Sequence, residues 1–233
     1  MTDLTDLEID YRFSPRRRSI GLRVTTDGRL VVTAPLGASR ASIDQALARH
    51  RDWLERTVAA RRLAWKQLQP GRAFFLGRAY QLLADPGNQE TVELGEEAIR
   101  VQWLRKSSGP WRALAAWYQR QAAAQLAPRV GVYAARMGLK PRVTEFKEWK
   151  RRWGECHPDG KLRFNWRLIL LPPEIIDYVV VHELAHLQVP GHNPRFWRVV
   201  AAILPDWAAR RQWLNCEGSP FLLWQLEGGG QGQ

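Results

Sequence analysis

The sequence predicts an α+β fold, with a small N-terminal β-sheet and a long helix followed by a region in which one apolar helix packs on a short sheet. Two patterns predict it. Short alternating runs separated by turn residues fill most of the first hundred positions, which is typical of strands. Later segments carry apolar residues at helical spacing. The chain has 233 residues, 45% of them apolar, and is therefore long enough for one or two cores.

The N-terminal region is predicted to be a sheet crossed by one helix. Residues 19–33 read as a β-hairpin around the turn Thr26-Asp27-Gly28. An amphipathic helix then runs from Ser39 or Ser42 to about Leu68, and residues 74–104 return to short strands. His50 lies on the apolar stripe of that helix, so it is expected in the core or at its boundary rather than at a metal.

The second half is predicted to be mainly helical. A long helix covers Trp111 to about Met137, with Pro128 expected to kink or split it. Strands are predicted over 142–149 and 161–171, and helices begin at Pro173 and at Asn193-Pro194. The resulting organisation is an N-terminal region over 1–108, a second region over 109–227 and a flexible tail over 228–233.

The motif His182-Glu183-Leu-Ala-His186 lies in that second region. Histidines four residues apart project from one face of a helix, so both imidazoles can reach one metal ion. Glu183 is turned by about 100° from His182, which places a carboxylate beside the metal without making it a ligand. His192 follows a Pro-Gly pair that can turn the chain back, and it is predicted as the third ligand. Three imidazoles and an open position are typical of a catalytic zinc site.

Other side chains near the motif are weaker candidates. A second donor to the developing oxyanion is expected in such a site, and four residues are candidates for that role or for the cleft wall: Tyr178, His157, Asn165 and Arg163. Asp177 or Asp206 is a candidate for orienting a ligand imidazole.

Sequence composition limits the expected cellular location of the protein and its expected binding partners. The sequence has neither a secretory leader nor an apolar run long enough to span a membrane, and Cys156 and Cys216 are widely separated. A cytoplasmic protein with reduced thiols is therefore predicted. The net charge of +12 is concentrated in arginine clusters, which indicates contact with nucleotides or nucleic acid, although solvated basic faces explain such clusters equally well.

The order of motifs resembles the YgjP-like metallopeptidase family, predicted zinc-dependent hydrolases related to SprT-like and Wss-type proteases. The resemblance covers roughly residues 12–215. It is carried by Arg152-Trp153-Gly154-x-Cys156, Leu162-x-Phe164-Asn165-Trp166-Arg167-Leu168, Pro172-Pro173, Ile176 to Leu187 with the motif, His192 and Phe196-Trp197. It implies a zincin-like core of gluzincin type, zinc held by the three histidines, and Glu183 as general base. The family usually has serine where Glu155 stands.

Three functions remain open from the sequence. The first is a zinc peptidase in which Glu183 takes a proton from a zinc-activated water that attacks the peptide carbonyl. The second is a metal-dependent nucleotide phosphohydrolase whose arginines hold phosphates. The third is a nucleic-acid-associated protein with a structural zinc, which would need a fourth protein ligand. Histidine ligands favour zinc over magnesium, and this favours the peptidase.

Overall fold

A computed structural model describes residues 9–68, 70–107 and 109–224. The fold is mixed α+β, as the sequence predicts. It divides into two compact units, Met1–Gln69 with Asn215–Pro220, and Pro70–Leu214 with Phe221–Gln233. This division precedes the boundary expected near residue 108, because the sheet formed by residues 72–104 belongs with the second unit. The predicted tail lies outside the described residues.

The first unit is a three-stranded sheet with two helices. The strands are β1 (Ile9–Phe13), β2 (Gly21–Val24) and β3 (Leu30–Ala34), and the helices are α1 (Arg40–Arg49) and α2 (Arg51–Gln67). The predicted hairpin is present as the antiparallel β2–β3 pair, and β1 pairs with β3 in parallel, giving the order β1-β3-β2. Leu30, Val32, Leu54 and Val58 are buried between the sheet and the helices. In the order β1-β3-β2, strand β2 lies at the edge of the sheet.

The prediction of a single helix over residues 39–68 is wrong in one respect. It begins as expected, with Ser39 accepting a hydrogen bond from the Ser42 backbone N–H. It is interrupted at His50, whose φ of −111° and ψ of 16° separate α1 from α2. His50 is also exposed rather than in the core. No proline or glycine marks the interruption, so the continuous apolar spacing concealed it.

The second unit begins with a four-stranded sheet. Its strands are β4 (Arg72–Phe75), β5 (Arg78–Gly87), β6 (Thr91–Leu94) and β7 (Ala98–Leu104), in the order β4-β5-β7-β6. Helix α3 (Trp111–Arg136) follows without a split, although Pro128 lies inside it. The Tyr118 hydroxyl on α3 donates to the Phe74 carbonyl at 2.8 Å, and its ring stacks on Trp166 at 5.7 Å. These contacts join the sheet to α3.

A tight turn between β4 and β5 fixes the start of the motif helix. The backbone N–H groups of Leu76 and Gly77 donate to the carbonyls of Ile169 and Leu170 at 2.8 and 3.1 Å. Gly77 has a φ of +80°, and a Cβ there would lie 2.8 Å from the Pro172 Cα, so the position requires glycine. Pro172 directly precedes the motif helix, and the turn therefore positions its first residue.

The remaining elements surround the motif helix. They are β8 (Val143–Lys147), β9 (Gly154–Cys156), β10 (Lys161–Asn165), a short 3₁₀ helix (Trp166–Leu170), α4 (Pro173–His186), α5 (Pro194–Ile203), α6 (Trp207–Trp213), a π-helical turn (Leu214–Gly218) and α7 (Ser219–Leu222). The strand predicted over 161–171 thus ends at Asn165. The sheet has the order β8-β10-β9, so β9 is an edge strand. No helix in the described ranges is long and apolar enough to cross a membrane.

Candidate metal centre

Helix α4 carries the motif and is almost entirely buried. Pro173 occupies its first turn, where a missing N–H costs no hydrogen bond, and Glu174 lies at the positive end of the helix dipole. Val179, Val180 and Val181 are at most 3% exposed. His182 and His186 then emerge on the one face that is left partly open. The helix therefore holds two imidazoles rigidly at the floor of a cleft.

The structure brings the three predicted histidine ligands together. One ligand nitrogen from each of His182, His186 and His192 lies within 4.8 Å of the other two. The Nε2 atoms of His182 and His192 are 3.0 Å apart. Tetrahedral zinc with Zn–N bonds of about 2.0–2.1 Å separates its ligand nitrogens by about 3.3 Å. The donor set therefore fits one zinc-sized cation after small movements of the rings.

His192 is positioned by a turn and by an aromatic stack. Gly191 has a φ of +76° and reverses the chain after α4. The Trp197 ring lies against the His192 ring at 5.7 Å and 27°, and its indole N–H donates to the His192 carbonyl at 3.1 Å. Trp197 in turn stacks on Trp207 at 4.2 Å, with the Arg211 guanidinium 4.7 Å from its centroid. The exposed ligand is thus supported by half-buried indole rings of α5 and α6.

The ligand imidazoles have partners that orient them. His186 Nδ1 is 3.3 Å from the Val189 carbonyl, and His182 Nδ1 is 3.5 Å from the Tyr178 hydroxyl. A protonated Nδ1 donating to an oxygen leaves Nε2 unprotonated for a metal. Burial, and then the neighbouring imidazoles, lower the pKa of His182 to about 3, so its ring is neutral at pH 7. Neutral imidazole is the form that binds zinc.

Glu183 lies beside the imidazoles and contacts β9. A Cβ at Gly154 would lie 2.7 Å from both Cγ and Oε1 of Glu183, so this glycine makes room for the carboxylate. Burial, and then the charge of Glu155, raise the pKa of Glu183 to about 8, while a hydrogen bond to the Cys156 backbone acts in the opposite direction. A buried carboxylate with a raised pKa beside metal-ligating groups is typical of a general base.

The centre opens into a cleft of about 830 Å³ between α4 and residues 154–160. Carboxylates of Glu155, Asp159 and Glu183 line it, and none of its described lining residues is lysine or arginine. β9 forms one wall. Trp153 and His157 hydrogen-bond to β10 through their backbones, so Gly154 and Cys156, which alternate with them, direct their backbone groups to the free edge. The cleft therefore presents the edge of β9 next to the three histidines, and of its groups the Cys156 N–H is bound to Glu183.

Among the weaker candidates, His157 lines the cleft and Tyr178 lies behind it. His157 Nδ1 is 2.8 Å from Asp159 Oδ1, so the ring is oriented by a carboxylate. Tyr178 is 3% exposed, and its hydroxyl faces a ligand imidazole rather than the cleft. Arg163 does not line the cleft, since its guanidinium pairs with Glu145 and Glu155 at 3.3 and 3.2 Å.

Asn165 is a correction to the sequence prediction. It is fully buried, its amide donates to the carbonyls of Trp149 and Arg152 at 2.8 and 3.0 Å, and its Oδ1 accepts from the Arg167 N–H at 3.1 Å. It caps the 3₁₀ helix and holds the loop after β8. All of its polar atoms are therefore used within the fold, and none is available to a substrate.

The two aspartates proposed to orient the ligands are elsewhere engaged. Asp177 pairs with Arg129 at 2.6 Å, and Asp206 pairs with Arg210 at 2.9 Å within α6. The orienting groups are instead the Tyr178 hydroxyl and the Val189 carbonyl. The role of the carbonyl has no signal in the sequence, because any residue can supply a carbonyl group.

The cysteines do not extend the site. Both are free, and the Cys216 thiol lies 3.6 Å from the Thr57 hydroxyl in the first unit, whereas the three histidines belong to the second. Cys156 lines the cleft, but burial raises the pKa of its thiol to about 11, so it is protonated at neutral pH. Among the described residues, the cluster at the three histidines includes neither cysteine nor an acidic group. A closed, four-ligand structural site is therefore not formed.

Three imidazoles with an open side and a buried carboxylate distinguish this arrangement from a structural metal site. Such a cleft on an α+β scaffold places the protein in the class of metal-dependent hydrolases.

Comparison with known proteins identifies the family of this protein within the class of metal-dependent hydrolases. A family model described as YgjP-like, metallopeptidase domain matches residues 18–217, and the chain belongs to this family. A solved structure, the metallopeptidase zymogen abylysin of Pyrococcus abyssi, is similar with 22% identity and a TM-score of 0.35, covering 38% of this chain and 88% of that chain. A comparison with curated proteins found no match. The family identifies the protein as a metallopeptidase and implies a metal ion.

Proposed function

We propose that the protein is a zinc-dependent peptidase with a zincin-like core, in which His182, His186 and His192 hold the metal and Glu183 is the general base. The observation that carries the proposal is the position of Glu183, which Gly154 allows to lie against β9 beside the three imidazoles. When bound, a zinc ion supplies Lewis acidity, which acidifies water and polarises a carbonyl group.

The chain's own residues supply the proton transfers. Glu183 accepts the proton of the water that attacks the peptide carbonyl and then delivers it to the departing nitrogen. The raised pKa of about 8 belongs to the metal-free site, and a nearby cation favours the carboxylate form and so lowers that pKa. Glu183 therefore becomes a base at neutral pH when the site is loaded.

His157 is the best-placed second donor to the oxyanion. Its Nδ1 is bound to Asp159, so the opposite ring nitrogen is left for the cleft that His157 lines. With Nδ1–H donating to Asp159, the neutral ring has an unprotonated Nε2, so His157 can donate from Nε2 to an oxyanion only as the imidazolium. Tyr178, which faces the back of His182, is assigned to ligand positioning instead.

The lining of the cleft favours a peptide over a nucleotide. None of the described lining residues is a lysine or arginine that could hold a polyphosphate, and the nearby Arg163 is already paired with two glutamates. An extended peptide, by contrast, can hydrogen-bond to the edge of β9 at the backbone of Gly154 and at the Cys156 carbonyl, while the Cys156 N–H is bound to Glu183. We therefore rank peptide hydrolysis above phosphate-ester or pyrophosphate hydrolysis.

The experiment compares Glu183→Gln with wild type after loading with zinc. The variant should retain one zinc per chain and lose peptide cleavage by about 10²–10⁴-fold, since it removes a general base. Glu174→Gln, the same change at an exposed position of the same helix, is the control and should cleave normally. Full activity in Glu183→Gln would refute the mechanism. Release of phosphate from nucleotides by wild type, without peptide cleavage, would refute the substrate class.

A further inference from the structure

Residues 9–68 of the N-terminal unit are strongly basic. Residues 9–68 contain thirteen Arg and Lys against five Asp and Glu, within a chain whose net charge is +12. Four of the five acids are paired with arginines two or four positions away. Among the described residues of this unit, eight exposed cations have no ion pair: Arg16, Arg17, Arg18, Arg23, Arg49, Arg56, Arg62 and Lys66. This unit therefore has a surplus of cations that the fold does not use.

Part of that surplus borders a groove with exposed aromatic rings. A groove of about 590 Å³ lies between edge strand β2 and the junction of α1 with α2, and its walls include Ile20, Leu22, Gln45, Arg49, His50 and Trp53. Trp53 is 41% exposed although it is large and apolar, and the His50 ring meets it edge-on at 6.5 Å. The interruption at His50 is what directs both rings to this groove.

Arginines flank both ends of the edge strand that forms one wall. The Arg17 guanidinium lies over Gly21 at the start of β2, on the face opposite to Leu22, and Arg62 packs on Gly28, in the turn that follows β2. Arg49 lines the groove itself. Cations therefore follow the strand while the aromatic rings lie beside it.

We propose that this groove binds single-stranded nucleic acid, with Trp53 stacking on a base and Arg49 and Arg62 contacting phosphates. Stacking platforms flanked by cations are the general means of holding single strands without sequence preference. Arginine, which supplies all but one of the unpaired cations, binds phosphate bidentately. An acidic protein would satisfy the charge but would have no use for an exposed indole. The proposal is independent of the metal centre.

The test measures binding of a fluorescently labelled twelve-nucleotide oligothymidylate by anisotropy at 50 and 200 mM salt. Wild type should bind, and affinity should fall by roughly sevenfold between the two salt concentrations if about two phosphates are contacted. Trp53→Ala should weaken binding by about tenfold, from the loss of one stacked base. Arg49→Gln should weaken it and reduce the salt slope by about 0.7.

Controls separate this site from general basicity and from misfolding. Arg120→Gln removes one exposed charge from α3 and should bind oligothymidylate like wild type. Trp53→Phe keeps a stacking ring and should retain most of the affinity, which tests the role of the ring if Trp53→Ala unfolds. Glu183→Gln should bind normally, because it affects only the metal centre.

Three results would overturn the proposal. Absence of binding by wild type at 50 mM salt would exclude the ligand. Equal affinities of the folded Trp53→Ala and Arg120→Gln variants for oligothymidylate would exclude the groove as the binding site. Competition by polyglutamate as effective as that by unlabelled oligothymidylate would assign the surface to an acidic protein instead.

Discussion

Gly154→Ala tests whether the close packing of Glu183 on β9 controls catalysis. A methyl group at this position would lie 2.7 Å from Cγ and Oε1 of Glu183 and 2.9 Å from Cδ, whereas ordinary contact begins at 3.4 Å. Glu183 must therefore move by roughly 0.7 Å. It cannot simply swing into solvent, because its side chain is buried. A misplacement of about 1 Å costs up to about 10²-fold in rate, so we expect a ten- to hundredfold loss of kcat.

The matched control is Gly131→Ala. A Cβ there meets nothing within 4 Å, and the residue lies inside α3, so alanine should be neutral or stabilising by up to about 1 kcal/mol. Both variants would be compared by peptide cleavage, zinc content and thermal unfolding. The reasoning predicts that Gly154→Ala keeps its zinc, because the three histidines are untouched. Wild-type kcat in Gly154→Ala, or an equal loss in Gly131→Ala, would refute it.

Three further predictions concern the metal. Trp197→Ala removes the ring that supports His192 and should weaken zinc binding by about ten- to a hundredfold in a chelator competition, and an unchanged Kd would show that the stack is dispensable. Tyr178→Phe should weaken it only a few-fold, since the hydroxyl is 3.5 Å from His182, and an effect larger than that of Trp197→Ala would reverse this ranking. Zinc at one hundred times its Kd should stabilise the folded protein by about 2.7 kcal/mol, measured as a rise in Tm that chelation reverses; no rise would argue against a metal site.

The fold could be predicted where local pattern determines it. The β2–β3 hairpin follows from Thr26-Asp27-Gly28, and α4 begins at Pro173 as expected. The interruption at His50 and the parallel pairing of β1 with β3 could not, because neither leaves a local signal. The sheet of residues 72–104 belongs to the second unit because of contacts between residues distant in sequence. Local sequence does not reveal such contacts, so the sequence predicted a boundary at residue 108 instead.

The metal-site histidines were predictable because their geometry is local. Spacings of four and six residues, with a Pro-Gly turn, suffice to bring them together once α4 is helical. The contact of Glu183 with Gly154 was missed because it joins residues far apart in the chain, although an unexplained glycine in a strand is a signal of close approach. Asn165 was misassigned because a buried capping asparagine and a cleft asparagine look alike in sequence.

The Leu76–Gly77 turn has a practical consequence for anyone who wishes to shorten this protein. A truncation that starts at residue 109 would remove the donors to the Ile169 and Leu170 carbonyls and leave two backbone acceptors unsatisfied, at a cost of about 1–3 kcal/mol each if they stay buried. It would also uncover the apolar segment that leads into the catalytic helix. The smallest fragment able to fold around the metal should therefore begin near Pro70.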